Sequence, residues 1–246
     1  MNKRDVRFLR EYASFSLDGP LTIAKCLHSS LIEAYHKKDF DTFAHLKIKL
    51  HAEMVLCLET IGALLLSFSR WDQQGGILKT LLKYKPREVR SFLKKLFDSD
   101  NALQLLCFPN KEDIKKIYEN KEFVEEYYTH EELLKMVKHI CGMYLDEIIC
   151  TVYNKVKHAG LVIRDPMAVG ENYPNHPDTD VHIIADLDEN YEGILFSIGV
   201  TRKDSLEKAN QYLRIIEAIT ETAKRLANFF AYCLEKNLIQ PSDHPD

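Results

Sequence analysis

The sequence predicts a mainly α-helical fold, a bundle of long helices with a small β-hairpin inserted before the last long helix. Over most of the 246 residues, apolar side chains recur at every third or fourth position, which gives a helix one apolar face. Two later runs instead alternate apolar and polar residues, as half-buried strands do. We therefore expect a single helical domain over residues 1–246, with residues 166–201 as a loop plus β-hairpin insertion and residues 240–246 as a flexible tail.

The N-terminal half is expected to consist of helices separated by turn residues. A short amphipathic helix over residues 5–15 precedes Pro20, which suits the first turn of a second helix running to about Lys37. Asp39 can cap a third helix, whose apolar positions continue to about Arg70. After a glycine-containing break, the sequence predicts shorter helices over residues 77–84, 87–97, 102–108 and 112–118.

A capping box opens the next long helix. The Thr129 hydroxyl can accept a hydrogen bond from the backbone of Glu132, while the Glu132 carboxylate reaches back to the backbone of Thr129. The apolar stripe that follows predicts one helix over residues 130–158, and Gly160 is a natural stop.

The chain then changes character. Proline, glycine and asparagine crowd residues 166–177, which predicts an irregular loop. The alternating runs over residues 181–187 and 194–200 predict a hairpin, which must pack on the helices because two strands alone are marginally stable. A second capping-box pattern, formed by Asp204 and Glu207, predicts the start of the last long helix.

Composition and charge describe an ordinary globular protein. Hydrophobic residues make up 46% of the chain and charged residues 28%, with a formal net charge of −4. This balance argues against a strongly basic nucleic-acid binder but allows a local basic patch. One such segment is the most plausible footprint for RNA or phosphate, with an ordinary solvated helix face as the alternative. Its cations are Lys79, Lys83, Lys85, Arg87, Arg90, Lys94 and Lys95.

Cysteine usage and hydropathy favour a cytoplasmic protein without a membrane span. The six cysteines include no C-x-x-C pair, so we interpret them as buried reduced thiols rather than a disulfide framework or zinc site. Residues 1–10 are charged and lack the apolar core of a signal peptide. The most apolar run, residues 54–66, is shorter than the ~20 residues a membrane span needs.

Reactive side chains are concentrated at the end of the helix predicted over residues 130–158. At ~100° per residue, Glu147, Thr151, Asn154 and His158 share one side of that helix. The helix dipole there favours a charged imidazole, which could donate a proton or hold a phosphate. The alternative is a solvated helix end whose cations satisfy the last carbonyl groups.

The run Tyr-Asn-Lys-Val-Lys-His-Ala-Gly at residues 153–160 resembles the YNKxKHG segment of bacterial helical proteins related to the HEPN superfamily. The resemblance covers about residues 130–164 and implies a helical bundle, often dimeric. Many members are RNases of toxin–antitoxin and phage-defence systems, whose signature is an arginine, a polar neighbour and a histidine. Asn154 and His158 resemble the last two positions, whereas Tyr153 stands in place of the arginine and Ala159 in place of the usual glycine.

Metal-independent RNA cleavage needs an acid or base for the 2′-hydroxyl step and a cation for the charge on phosphorus. His158 could supply the first. Lys155 or Lys157 could supply the second as a point charge, without the bidentate fork of a guanidinium. Arg164, the nearest downstream arginine, would have to fold back to contribute.

A divalent metal ion is a further possibility. His176, Asp178, Asp180 and His182 alternate, so in an extended strand all four would share one face, and these side chains suit Zn²⁺ or Mn²⁺. The alternative is a set of solvated loop residues. The sequence contains no Walker loop, G-x-G-x-x-G, G-x-S-x-G or H-E-x-x-H motif, so the classes that these motifs mark have no support.

Three functions stay open on the sequence. The first is a HEPN-like bacterial accessory or defence-type module without strong catalysis, forming a homodimer and binding RNA, a nucleotide or a protein partner. The second is a metal-independent RNase using His158 and Asn154. The third is a metal-dependent enzyme using the alternating set from His176 to His182.

Overall fold

Helices dominate the structure, which is a computed structural model. It describes residues 3–119, 129–146, 162–163, 179–187 and 193–239. For residues 118, 162–163, 179–187 and 193–204 it describes the backbone alone. The mainly α-helical class is therefore confirmed. In chain order the helices are α1 (Lys3–Glu11), α2 (Asp18–His36), α3 (Phe40–Ser69), α4 (Gly76–Lys83), α5 (Pro86–Asp98), α6 (Ala102–Leu105), α7 (Lys111–Glu119), α8 (His130–Leu145) and α9 (Arg202–Glu235).

Three stretches of backbone pair as strands. They are β1 (Val162–Ile163), β2 (Thr179–Leu187) and β3 (Gly193–Thr201). Their order is β1-β2-β3 and both pairings are antiparallel. Thr179 lies opposite Thr201 at one end of the longer pair, and Leu187 lies opposite Gly193 at the other. The packing of a hairpin on the helices stays a prediction, because the side chains of these strands lie outside the described part of the chain.

Local capping signals placed two helix starts correctly. The backbone N–H of Thr42 donates to Asp39 Oδ1 at 3.2 Å, so Asp39 caps α3 as predicted. At α8 the backbone N–H of Glu132 donates to the Thr129 hydroxyl at 3.2 Å, and the Glu132 carboxylate accepts from the backbone of Thr129 at 2.7 Å. Both caps satisfy N–H groups that a helix start leaves without intrahelical partners.

The predicted boundaries of two long helices are wrong. The helix expected over residues 130–158 ends at Leu145, and Asp146 has an extended backbone with φ −60° and ψ 118°. No glycine or proline marks this end, but negative charge at Asp146 and Glu147 opposes the helix dipole at a carboxyl end. At the last helix, α9 already begins at Arg202, so Asp204 lies inside the helix rather than at its cap.

The third helix is the most apolar element. The helix α3 has 30 residues and is the one described helix that is long and apolar enough, by length and composition, to cross a membrane. The criterion applies to an 18-residue window within it. This window is longer than residues 54–66, the most apolar run in the sequence. Of the residues in this window, 78% are buried inside the protein, as they are in the core helix of a globular domain.

Contacts divide the chain into two compact units. The first contains residues 1–20, 56–146 and 217–246, and the second contains residues 21–55 and 147–216. The expected single domain with an insertion over residues 166–201 stays a prediction, since residues 164–178 and 188–192 lie outside the described ranges.

Four phenylalanines fill the centre of the first unit. The rings of Phe68 and Phe230 stack with their centroids 4.1 Å apart, and Phe108 meets Phe68 edge-on at 6.0 Å. Phe108 also stacks on Phe229 at 5.8 Å. Each ring is almost fully buried, so this cluster ties α3, α9 and the segment after α6 together within the unit.

A close approach of two helices seats α5 on α3. Gly62 of α3 faces Val89 and Leu93, two of the three buried residues of α5. A Cβ atom added to Gly62 would lie 2.6 Å from Val89 Cγ1 and 2.8 Å from Leu93 Cδ1. Glycine therefore lets the two backbones approach more closely than any larger residue would.

The second unit combines an apolar core with a buried polar pair. Leu31, Phe43 and Leu50 are fully buried. In the same unit the Lys47 ammonium donates a hydrogen bond to the Ser205 hydroxyl at 3.0 Å, as a buried charge requires.

The described cysteines are all free thiols, as expected of a reduced protein. Cys57, Cys107, Cys141 and Cys233 are buried, whereas Cys26 is exposed, so its predicted burial is wrong. Cys26 sits on the solvent side of α2, where the apolar spacing of the helix does not decide orientation. Burial raises the pKa of the Cys141 thiol to about 12, and burial likewise raises the pKa of the Cys233 thiol.

Candidate functional site: a basic groove on α3, α4 and α5

Every side chain of the two predicted catalytic or metal sites lies outside the part of the chain whose side chains the structure describes. This holds for Asn154, Lys155, Lys157, His158 and Arg164, and likewise for His176 and Asp178. Asp180 and His182 lie on β2, where the backbone places them opposite Val200 and Ile198. Among the described residues, no cluster of three or more His, Cys, Asp or Glu side chains could hold a metal ion.

The predicted basic segment, in contrast, is fully described and folds into two helices. Val89, Leu93 and Leu96 of α5 are buried at spacings of four and three residues, so one face of the helix is anchored to the core. The remaining positions of α5 point away from that face and carry the cations. Gly75 and Gly76 adopt left-handed φ angles of 93° and 57°, which turn the chain from the end of α3 into α4.

Five of the seven predicted cations line a continuous concave surface, which we call the basic groove. Its larger part has a volume of about 830 Å³ and its floor includes Leu66 and Ser69 of α3. Lys85, Arg87 and Lys95 stand around this part. The full lining of the larger part is Leu66, Ser69, Arg70, Gln73, Lys85, Arg87, Glu88, Ser91, Phe92 and Lys95.

A smaller recess of about 150 Å³ continues the groove along α4. Lys79 and Lys83 line it, and the two parts share Arg70, Gln73 and Glu88. The Lys79 ammonium donates to the backbone carbonyl of Gln74 at 3.0 Å, which holds it beside the turn before α4. The basic groove therefore runs from α4 across the end of α3 to α5.

The charges of the basic groove are unbalanced. Six cations line it, namely Arg70, Lys79, Lys83, Lys85, Arg87 and Lys95, against the one carboxylate of Glu88. That carboxylate accepts the backbone N–H of Lys85 at 3.1 Å and so caps α5. Within the described part of the chain, none of the six cations forms an ion pair with a carboxylate, although such pairs occur elsewhere on the surface. Like charges gathered in a concave surface raise the local concentration of anions.

The start of α5 adds to this field. Lys85 is the N-cap residue, Pro86 is the first helical residue, and Arg87 and Glu88 follow in the first turn. The N-terminal end of a helix carries partial positive charge from its aligned peptide dipoles. The positive end of the α5 dipole therefore lies among the cations of the groove, and both favour a bound phosphate.

The sequence predicted five of the six cations that line the basic groove, together with two cations that do not line it. Arg90 and Lys94 are exposed on α5 but are not among the residues that line the basic groove. Arg70 lines both parts of the groove but was not predicted. It follows directly after α3 and lies six residues before Gly76, apart from the other cations in the sequence. A signal was present, since Arg70 is the first cation after the long apolar run of α3.

Comparison with known proteins adds no further assignment. No protein-family model matches the chain, and neither the curated proteins nor the solved structures contain a match.

Proposed function

We propose that the chain is an RNA-binding module that holds the phosphate backbone of RNA in the basic groove. The observation that carries the proposal is the set of six cations around one concave surface with a single, already hydrogen-bonded carboxylate among them. Neutralising phosphates with lysine and arginine releases condensed counterions, which is the main source of affinity in nucleic-acid binding.

The shape of the groove favours RNA over a lipid surface. A membrane is nearly flat and is reached by cations that protrude together from one side of a helix. Here the cations stand on two helices around a recess, with buried Leu66 and Ser69 at its floor. A narrow, flexible polyanion can enter such a recess and meet cations on both walls.

The test is RNA binding by two double variants that lose the same charge. Arg87→Ala with Lys95→Ala removes two cations from the basic groove, whereas Arg90→Ala with Lys94→Ala removes two from the same helix outside it. Each phosphate contact with a single strand adds about 0.7 to the slope of log affinity against log salt concentration, so losing two contacts lowers the slope by about 1.4. Relative to 1 M salt, this change lowers the affinity at ~0.1 M salt by about 25-fold. We expect this loss in the first variant and a small change in the second.

The measurement is fluorescence anisotropy with a labelled oligouridine over a series of salt concentrations. Equal losses in the two double variants would mean that only the net charge of the protein matters and that the basic groove is not the site. No binding by the unaltered protein would remove the proposal. The same strand as DNA provides a second arm, and equal affinity for both would remove the preference for RNA.

The wider expectations belong to the same proposal. The module is HEPN-like, forms a homodimer, resides in the cytoplasm, has a β-hairpin inserted before its last long helix, and acts without strong catalysis with RNA, a nucleotide or a protein partner. Its RNase alternative rests on His158 and Asn154. Incubation of the protein with RNA in EDTA separates the two, because cleavage that His158→Ala abolishes would identify an RNase.

The metal-dependent alternative rests on His176, Asp178, Asp180 and His182. Elemental analysis of the purified protein tests it directly. A stoichiometric divalent metal that is lost in His182→Ala would support this alternative, and protein without such a metal would contradict it.

A further inference from the structure

An aromatic side chain lies among the cations of the basic groove. Phe92 of α5 lines the larger part, beside the apolar floor formed by Leu66. Its side chain is only half-buried. The phenylalanines of the core stack on one another, but within the described residues the ring of Phe92 has no aromatic partner. Part of Phe92 therefore remains accessible to solvent inside the cationic recess.

The spacing along α5 relates this ring to a cation. Lys95 follows Phe92 by three residues, and residues three apart on a helix have Cβ atoms roughly 5–6 Å apart. A base lying on the Phe92 ring would leave the phosphate of its nucleotide close to the Lys95 ammonium. Arg87 and Lys85 lie further along the same wall, where the next phosphate of a strand could follow.

Access to this ring distinguishes single strands from duplexes. Base faces inside a duplex are covered by their neighbours, whereas an unpaired base can turn out and stack on an aromatic side chain. The cations of the groove also stand in a recess rather than on a protruding helix that could enter a wide nucleic-acid groove.

We infer that the basic groove selects single-stranded RNA and that Phe92 is a stacking platform for one of its bases. This inference rests on the proposed function, because it assigns the ligand class and a specificity-determining residue to the same surface. Phe92 supplies stacking that does not depend on charge, while Lys95 and Arg87 supply the phosphate contacts.

The experiment compares Phe92→Leu with Phe97→Leu. Both residues lie on α5 and both changes remove one ring while keeping an apolar side chain, but Phe97 is an exposed residue that does not line the basic groove. With a labelled oligouridine of about 12 nucleotides, within the usual site size of single-strand binding folds, we expect Phe92→Leu to bind roughly tenfold more weakly. Phe97→Leu should bind like the unaltered protein, and Phe92→Tyr should retain affinity because its ring is kept.

Three further readouts test stacking, strand selection and folding in turn. An oligonucleotide with one 2-aminopurine should lose fluorescence on binding the unaltered protein and keep most of it with Phe92→Leu. A duplex of the same length should bind more weakly than the single strand. Urea midpoints of both leucine variants show whether α5 remains folded, and Phe92→Tyr serves as the folded reference if Phe92→Leu does not.

The outcomes distinguish this inference from the proposal beneath it. If Phe92→Leu binds like the unaltered protein while Arg87→Ala with Lys95→Ala binds more weakly, the stacking platform is wrong and the RNA-binding groove stands. Equal affinity for duplex and single strand would overturn the strand selection. If neither the phenylalanine nor the cation variant loses affinity, both ideas are wrong.

Discussion

Replacing Gly62 by alanine tests how α5, and with it one wall of the basic groove, is seated. Carbon atoms pack best at about 3.5–4.0 Å. The new methyl group would lie 2.6 Å from Val89 Cγ1 and 2.8 Å from Leu93 Cδ1, an overlap of roughly 1 Å with both. Both contacted side chains are fully buried, and valine has little rotamer freedom, so relief requires α5 to shift.

The magnitude follows from two opposing effects. Alanine in a helix interior is favoured over glycine by about 1 kcal/mol. Overpacking a core costs about 1–3 kcal/mol. We therefore expect Gly62→Ala to lower the free energy of unfolding by up to about 2 kcal/mol. Because α5 carries Arg87 and Lys95, its displacement should also weaken the proposed binding of RNA.

Gly142→Ala on α8 is the matched control. A Cβ atom there would lie 3.4 Å from Phe97 Cε2, which is an ordinary contact, so the helix-propensity gain of up to about 1 kcal/mol should be kept. Urea unfolding should separate the two variants by about 1–3 kcal/mol, which corresponds to roughly 1 M in the midpoint.

A double variant identifies the contact responsible. Val89→Ala alone leaves a cavity, but together with Gly62→Ala it makes room for the new methyl group, so the two changes should cost less than their sum by about 0.5–3 kcal/mol. The reasoning is refuted if Gly62→Ala is as stable as Gly142→Ala, or if the double variant is strictly additive.

The remaining predictions concern ionisable side chains. In the native protein, iodoacetamide should modify the exposed Cys26 while Cys141 and Cys233 stay unmodified, because burial raises the pKa of the Cys141 and Cys233 thiols. Peptide mapping by mass spectrometry measures the labelling of each cysteine. Rapid labelling of Cys141 would contradict its burial. Burial also raises the pKa of the Glu53 carboxyl in the folded state, and its Oε2 is a buried atom without a hydrogen-bond partner within the described residues. The folded state therefore binds this proton more tightly than the unfolded state, so stability falls as pH rises through the window between the unfolded and the raised folded pKa. Glu53→Gln should raise the urea midpoint at about pH 7 and give a smaller gain at about pH 4, and an equal gain at both would show that the charge is not responsible.

Sequence patterns predicted the helical elements well where the cause is local. Asp39 and Thr129 identified the starts of α3 and α8, because a cap is made with backbone groups two or three residues away. A helix over residues 87–97 was also predicted, and the structure places α5 at Pro86–Asp98. The residues around His158 lie outside the described chain, so their predicted roles stay predictions.

The sequence alone determined that this chain is mainly helical, where most helices begin, and that residues 79–95 carry a concentration of positive charge, since each depends on neighbours within one or two helical turns. Only the tertiary structure decided that α8 ends at Leu145, that Arg70 joins the basic groove, and that Arg90 and Lys94 do not line it. These outcomes depend on which helix faces pack together. The close approach at Gly62 is such a contact, because it joins residues 27 or more positions apart in the chain, beyond the reach of any local pattern.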